Sequence, residues 1–170
     1  VVAGGQSTWS YTDSRTLTNN QAVSYTAQVA DSTGNQSAAG TAYTATVDTT
    51  PPTNAAAVTG ITDNVGLVTG NVASGGVTDD TSLVVTGTLG GATAGASLAG
   101  GETVRIYDGS TYLGNATVTV VAGGQSTWSY TDSRTLTNNQ AVSYTAQVAD
   151  GASNENAAGT AYTATVDTVA

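Results

Sequence analysis

The sequence contains no cysteine, histidine, methionine, phenylalanine or lysine, and these absences exclude several kinds of chemistry. Without cysteine the chain forms no disulfide bond, no thiolate nucleophile and no zinc–thiolate site. No run of about 18 apolar residues occurs, so the sequence predicts no membrane-spanning helix and no direct membrane insertion. Stability is therefore expected to come from buried apolar surface, or from a metal ion bound by oxygen atoms.

Positive charge is also scarce. The 170 residues include twelve acidic and three basic side chains, which gives a formal net charge of −9. Nucleic-acid affinity comes largely from Lys and Arg side chains that neutralise phosphates, so the sequence predicts no nucleic-acid partner. The same deficit argues against an anionic lipid surface as a partner.

The residues that are abundant favour β-strands. Val and Thr occur throughout, and both suit the pleated, half-buried surface of a strand. No segment has a helical period. The expected fold class is all-β, an immunoglobulin-like Greek-key β-sandwich of antiparallel strands in tandem repeats. Alternation of apolar and polar residues predicts seven strands, at residues 57–62, 82–89, 102–107, 112–120, 126–131, 141–149 and 160–166.

The same alternation predicts which side chains face the core. We expect Trp128 to make the largest single apolar contribution. Other inward positions of the last three strands are Tyr130, Val142, Tyr144, Ala146, Val148, Tyr162, Ala164 and Val166.

The chain repeats part of itself. Residues 1–48 match residues 120–167 at an offset of 119. A period of this length suits a whole sandwich domain with a connector, and it is too long for a helical solenoid repeat. The differences are confined to one loop and number five: Ser32/Gly151, Thr33/Ala152, Gly34/Ser153, Gln36/Glu155 and Ser37/Asn156.

The phase of the repeat gives the expected domain boundaries. Residues 49–55 contain Pro51 and Pro52, which fix the backbone and cannot donate to a sheet, so this segment is predicted to be a connector. Residues 56–170 are then one complete immunoglobulin-like repeat. Residues 1–48 are predicted to be the carboxy-terminal part of a preceding repeat, with unpaired strand edges.

Acidic and amide residues gather in the predicted loops. Because the strands run alternately up and down, successive loops fall at opposite ends of the sandwich. One end, called here the connector pole, carries Asp150, Asn154, Glu155 and Asn156, and Asp48 of the preceding repeat is expected beside them. The other end, called here the acidic pole, carries Asp63, Asp79, Asp80, Asp108 and Asp167.

The negative charge of such clusters needs compensation by cations. Two unit charges about 4 Å apart repel by ~1 kcal/mol in water and by ~4 kcal/mol at an effective dielectric near 20. We expect Arg105 and Arg134 to be too few to balance them. Oxygen ligands without His or Cys are the set that calcium prefers, with magnesium second, so calcium is the predicted cofactor. The alternative is that these residues only stabilise turns, and no EF-hand loop is present to decide between the two.

Several short segments resemble a known family. They are Val47–Pro52 (VDTTPP), Ile61–Gly66 (ITDNVG), Gly76–Asp80 (GVTDD), Val104–Gly109 (VRIYDG) and Ser126–Tyr130 (STWSY). In their order and spacing, together with the copied neighbour, the chain resembles the immunoglobulin-like extender repeats of biofilm-associated RTX adhesins over essentially its whole length.

The resemblance implies a calcium-binding structural repeat of a large adhesion protein, exported by a type I system and extracellular at the bacterial cell surface. Such repeats project terminal adhesive domains, and their partners are calcium ions and neighbouring repeats of the same chain. The resemblance further implies a junction site of Asp48, Asp150 and Asn154, with Asp31 and Asn35 as counterparts toward a preceding repeat. Carboxylates of the acidic pole would bind calcium at the other end, although no Pro-Pro pair follows Asp167.

Two other functions are open to the same residues. Glu102 with Glu155 or an aspartate could imitate the carboxylate pair of a glycosidase. The few Trp and Tyr residues alternate as core positions, however, so no enzyme and no catalytic residue is predicted. A carbohydrate- or protein-binding module could use the variable loop at 151–156, which lacks the aromatic or Arg anchor typical of binding hot spots.

Overall fold

The computed structural model describes residues 7–90, 98–121 and 125–169, and every regular element within these ranges is a β-strand. No helix that could cross a membrane occurs in this part of the chain. The chain divides into two units, residues 1–49 and residues 50–170. Residues 1–6 of the predicted incomplete repeat and residues 91–97, 122–124 and 170 of the predicted complete repeat lie outside the described residues.

The larger unit contains two five-stranded sheets. The first has the order β4-β3-β6-β10-β9 and the second has the order β5-β12-β11-β7-β8. The strands of the first sheet are β3 (Ala56–Asp63), β4 (Gly70–Val72), β6 (Val84–Leu89), β9 (Thr117–Thr119) and β10 (Thr127–Thr131). Those of the second are β5 (Gly76–Thr78), β7 (Thr103–Asp108), β8 (Thr111–Asn115), β11 (Ala141–Ala149) and β12 (Tyr162–Val166).

The predicted all-β sandwich is confirmed, and the arrangement is consistent with an immunoglobulin-like sandwich. The β6–β7, β8–β9 and β10–β11 connections each pass from one sheet to the other. Greek-key connectivity and tandem repetition of the whole domain stay predictions.

The structure corrects three details of the predicted strands. The segment 112–120 forms two short strands, and the seven predicted strands omit β4 and β5. Each omitted strand has only three residues, one of them a glycine. Three residues are too few to show an alternation of apolar and polar side chains. In addition, β5 pairs in parallel with β12, whereas every strand was expected to be antiparallel.

The core lies between the two sheets and contains the side chains predicted to face inward. Trp128 is 2% exposed and Tyr144 is fully buried. Tyr130 and Tyr162 pack against the core but are only partly buried. The other buried apolar residues include Ile61, Leu83, Val85, Leu89, Val104, Ile106, Leu136, Val142, Ala146, Val148, Ala164 and Val166.

Trp128 fits because the residue opposite it is glycine. Trp128 of β10 pairs directly with Gly87 of β6, and a Cβ atom at Gly87 would collide with the indole ring and with the Ala57 carbonyl. The indole N–H donates a hydrogen bond of 3.1 Å to the Thr88 carbonyl. The largest apolar side chain of the core therefore lies against bare backbone, with its one polar atom satisfied.

Over residues 7–49, the smaller unit contains one antiparallel strand pair, formed by β1 (Ala22–Tyr25) and β2 (Tyr43–Thr46). Its register pairs Ala22 with Thr46, and the repeated residues Ala141 and Thr165 pair in the same way in the larger unit. The copied sequence therefore forms the same strand pairing in both units.

Candidate functional site

The candidate site comprises the two loop clusters at opposite ends of the larger unit. At the acidic pole, β3 and β12 end and β6 begins. Thr62 pairs with Val84, and the Asp167 amide donates 2.8 Å to the Thr78 carbonyl. The strand ladder thus carries the loops of this pole to one end of the sandwich.

Two carboxylates of the acidic pole stabilise turns. Asp63 is 7% exposed and accepts hydrogen bonds from the Thr78 hydroxyl at 2.7 Å and the Val65 amide at 3.0 Å. Asp80 is 2% exposed and accepts from the Ser82 amide at 2.7 Å and the Asn64 amide at 3.2 Å. These bonds fasten the loop after β3 to the turn before β6. Each carboxylate still has acceptor capacity, because an ionised carboxylate offers about four lone-pair sites.

The surroundings of Asp79 differ from those of Asp63 and Asp80. Asp63, Asp79 and Asp167 line one shallow depression. Gly66, with φ of 73°, lies so close to the Asp79 carboxylate that any side chain there would collide with it. Among the described residues, no hydrogen bond to the Asp79 carboxylate is formed. The depression is rimmed by four exposed apolar side chains: Leu67, Val68, Val77 and Val169.

Asp108 has a different environment from the other four aspartates. Its Oδ2 lies 3.0 Å from Arg134 Nη1, and its Oδ1 accepts a 2.7 Å hydrogen bond from the Ser143 amide. The expectation that the arginines are too few to compensate the pole is therefore wrong for Asp108. The error arose because Arg134 and Asp108 are distant in sequence, and their contact joins the loop after β10 to the end of β7.

Sequence reasoning missed Asp132, which completes this network. Asp132 is fully buried, and its Oδ2 lies 2.6 Å from Arg134 Nη2 and accepts a 2.7 Å hydrogen bond from the Tyr144 hydroxyl. Burial by itself would raise the pKa of Asp132, but hydrogen bonds from Arg134 and Tyr144 outweigh it and lower the pKa. Burial also raises the pKa of Tyr144. The available signal was the Asp-x-Arg triplet, which occurs in both copies of the repeat.

At the connector pole, Asp150 organises its own loop. Its Oδ1 accepts hydrogen bonds from the Ala152 amide at 2.8 Å and the Asn154 amide at 2.9 Å, and its Oδ2 accepts from Asn154 Nδ2 at 2.9 Å. These bonds, led by that of the Asn154 side chain, lower the pKa of Asp150. The carboxylate is therefore ionised at neutral pH.

Asp31 of the smaller unit has the same geometry. It accepts hydrogen bonds of 2.9 Å from the Thr33 and Asn35 amides and from Asn35 Nδ2. The Asn35 side chain makes the largest contribution to lowering its pKa. The five sequence differences in this loop therefore leave the Asp-to-Asn turn intact.

Two of those differences acquire specific partners in the larger unit. Glu155 lies 2.6 Å from Arg105 and accepts a 2.6 Å hydrogen bond from the Tyr107 hydroxyl. Asn156 donates 2.7 Å to the Asn54 carbonyl and accepts from the Val148 amide at 2.8 Å. The variable loop therefore packs against its own domain.

The end of the connector is held at this pole. Asn54 Nδ2 donates 3.0 Å to Glu102, while Asn156 binds the Asn54 backbone. Glu102 also accepts from the Ala99 amide at 2.8 Å. The chain consequently enters the sandwich at one end and leaves it, after β12, at the other. Asp48 belongs to the smaller unit, so its place beside Asp150 and Asn154 stays a prediction.

Comparison with known proteins adds no family to this picture. No family model matches the chain, and no curated protein matches it. Within residues 7–90, 98–121 and 125–169, no three His, Cys, Asp or Glu side chains are grouped so as to hold a metal ion. A calcium ion would therefore need backbone and amide oxygens beside one or two carboxylates, which its flexible coordination allows.

Proposed function

We propose that the chain is part of a structural extender of a large bacterial surface adhesin, with calcium bound at the junctions between repeats. The observation that carries the proposal is the repeat at an offset of 119, with a proline-containing connector between the copies. A protein made of copied domains gains length with each copy. The resemblance to RTX adhesin repeats supports the same assignment and an extracellular location.

The path of the chain supports an extender. The connector is tied to one end of the sandwich at Asn54, and β12 leads out at the opposite end, so the chain enters and leaves the larger unit at opposite ends of its strands. The longest strand, β11, has nine residues. At about 3.3 Å per residue, each domain adds ~30 Å of length.

The acidic pole supports a junction with a following repeat. Exposed apolar side chains surround the depression lined by Asp63, Asp79 and Asp167. A group of exposed apolar residues on one surface is typical of a contact surface. Oxygen ligands beside these residues suit calcium, which would offset the repulsion among the carboxylates.

The rival assignment as a ligand-binding module depends on the loop at 151–156, the site of all five sequence differences. Glu155 and Asn156 are already engaged by Arg105, Tyr107 and Asn54 of their own domain. The differences therefore have a use in domain packing and connector attachment, and no ligand is needed to account for them.

The proposal is tested by calorimetric unfolding of this chain in millimolar calcium, in EDTA and in magnesium. Weak extracellular sites have dissociation constants of about 10⁻⁴ to 10⁻³ M. A tenfold excess of calcium over such a constant stabilises the folded state by ~1.4 kcal/mol, or roughly 5 °C for a domain of this size. The Asp79→Asn and Asp150→Asn variants report the two poles separately, with Asn35→Ser probing the copied loop.

A calcium-specific rise that Asp79→Asn or Asp150→Asn abolishes is the expected result. Small-angle scattering in the same buffers measures the extension of the two units, and we expect the largest dimension to increase with calcium. If calcium and magnesium act alike and neither variant changes the response, the calcium junction is withdrawn. An unchanged dimension in calcium and EDTA would remove the extender mechanism as well.

A further inference from the structure

The sequence contains two near-identical segments that could complete the same domain. Residues 1–48 and 120–167 differ at five positions, whereas the segment 50–119 occurs once. Core packing does not distinguish the two copies, because the core residues of the second, such as Trp128, are repeated in the first, as Trp9. When near-identical segments recur in a chain, exchange of one for the other is a characteristic route to misassembly. Correct assembly therefore needs a feature by which the segment 50–119 selects the copy that follows it.

The five differing positions lie in one loop, and two of them contact Arg105 of the unrepeated segment. Arg105 Nη1 lies 2.6 Å from Glu155, and Arg105 Nη2 donates a 3.2 Å hydrogen bond to Ser153 Oγ. Glu155 also accepts a 2.6 Å hydrogen bond from the Tyr107 hydroxyl. The side chains of Arg105 and Glu155 are 26% and 24% exposed, so water screens this ion pair only in part.

A third differing position, Asn156, joins the same loop to the start of the domain. Its Nδ2 donates a 2.7 Å hydrogen bond to the Asn54 carbonyl, and its Oδ1 accepts one of 2.8 Å from the Val148 amide. The two remaining positions, Gly151 and Ala152, carry no polar side-chain atom. Any discrimination between the copies by side-chain hydrogen bonds therefore depends on the other three positions.

The first copy has residues that are unsuited to these contacts. Gly34 has no side chain, and the neutral Gln36 cannot form an ion pair with Arg105. Ser37 lacks the amide group with which asparagine reaches the Asn54 carbonyl. A domain completed by the first copy would keep the strand pairing and the core but lose these three contacts.

We propose that Ser153, Glu155 and Asn156 form a pairing selector, which reserves the segment 50–119 for the copy that follows it and disfavours strand exchange with the other copy. The identical positions supply the strand ladder and the core. The selector supplies the difference between the copies, because specificity is a difference between two binding free energies. The inference rests on the copied sequence and is independent of calcium and of the adhesin assignment.

The short connector makes such an exchange intermolecular. For residues 1–48 to replace residues 120–167 within one chain, Asp48 would have to take the place of Asp167 at the acidic pole while Asn54 stayed at the connector pole. Six residues span at most about 20–22 Å, whereas the nine-residue strand β11, which joins the two poles, is ~30 Å long. Exchange therefore needs a second chain, and its products are dimers or larger assemblies.

The test compares the native 170-residue chain with a triple variant, each refolded from denaturant in EDTA at equal concentration. The variant places the selector in the first copy: Gly34→Ser, Gln36→Glu and Ser37→Asn. Residues 50–170 are unchanged, so increased dimerisation cannot come from a weakened domain. A partly exposed ion pair contributes about 1.5- to 5-fold and a hydrogen bond about 2- to 12-fold, and a reciprocal dimer contains both twice. We expect the dimerisation constant, measured by light scattering, to rise at least about 10-fold.

The same loop offers a matched control. Ser32→Gly combined with Thr33→Ala copies the two positions without polar contacts and should leave dimerisation unchanged. The reverse triple variant removes the selector from the larger unit and should also favour dimers: Ser153→Gly, Glu155→Gln and Asn156→Ser.

Hydrogen exchange with mass spectrometry identifies the segment that is exchanged. In dimers of the first triple variant, peptides that span residues 31–37 should gain protection, and peptides that span residues 150–156 should lose it. The two sets differ in mass because Ser32 and Thr33 are retained in this variant.

Three results would overturn the proposal. The first is a triple variant that dimerises no more than the native chain, or no more than the Ser32→Gly, Thr33→Ala control. The second is a dimer in which protection does not pass from residues 150–156 to residues 31–37, since association would then use another surface. The third is a native chain that already exchanges as readily as the variants.

Discussion

Trp9 and Trp128 provide a matched pair of substitutions, since the local sequence is the same and the burial differs. An aromatic side chain of this kind buries about 150–250 Å², worth ~25 cal/mol per Å², so complete burial contributes roughly 4–6 kcal/mol. Trp128 is 2% exposed, and we expect Trp128→Ala to cost ~3–5 kcal/mol with its cavity. Trp9 is 75% exposed, which limits the effect of Trp9→Ala to about 1 kcal/mol.

The assay is urea unfolding followed by far-ultraviolet circular dichroism, which does not depend on the tryptophan that is removed. With an m-value of about 1–3 kcal/mol/M, Trp128→Ala should lower the midpoint by more than ~1 M, while Trp9→Ala should hardly move it. If Trp128→Ala prevents folding, Trp128→Phe retains most of the ring and should give an intermediate loss. Equal losses for Trp9→Ala and Trp128→Ala would refute the argument from burial.

Three further substitutions probe the network, the connector and the core. Asp132→Asn should lower the free energy of unfolding by about 3 kcal/mol. This value is near the lower end for a broken buried ion pair because Arg134 is partly exposed. The matched variant Asp13→Asn should have a smaller effect. The lowered pKa of Asp132 gives stability that is present above its unfolded pKa near 4 and lost as pH falls through the folded value, so Asp132→Asn should flatten the acid limb of an unfolding curve. A steep limb that survives Asp132→Asn would contradict the assignment. Asn156→Ser should cost roughly 1 kcal/mol and speed hydrogen exchange in the connector, and unchanged exchange would count against the attachment. Gly87→Ala should destabilise by about 1–3 kcal/mol through the clash with the indole, and calorimetry showing no loss would disprove the close packing.

Much of the sandwich was predictable because period two marks any strand with one buried face. The β11 segment 141–149 alternates in burial from Ala141 to Val148, and both of its predicted ends are confirmed. The strands β4 and β5 were not predictable in this way, since three residues give only one alternation. The parallel pairing of β5 with β12 depends on contacts across the whole domain, which local sequence does not encode.

The sequence predicted where the candidate site lies, but it predicted only some of the contacts that its carboxylates make. Strand order carries the predicted loops to the two poles, and this much follows from counting strands. Which carboxylate meets which partner depends on side-chain reach: Asp108 meets Arg134, whereas Asp63 meets Thr78. Asp132 was not assigned to either loop cluster, although its charge is the most deeply buried of these groups.

The parallel neighbour of β12 has a consequence for tension along the chain. β12 lies between β11 and β5, and pulling on the residues after Val166 draws it lengthwise past both. Hydrogen bonds of the antiparallel β11–β12 ladder lie across the strands, and those of the parallel β5–β12 ladder run at a slant, so this pull shears the bonds on both sides together and does not open them one at a time. The connector is attached at the far end, through Asn54, which keeps the opposing force nearly in line with the strands. A domain loaded in this direction yields only when both ladders fail at once.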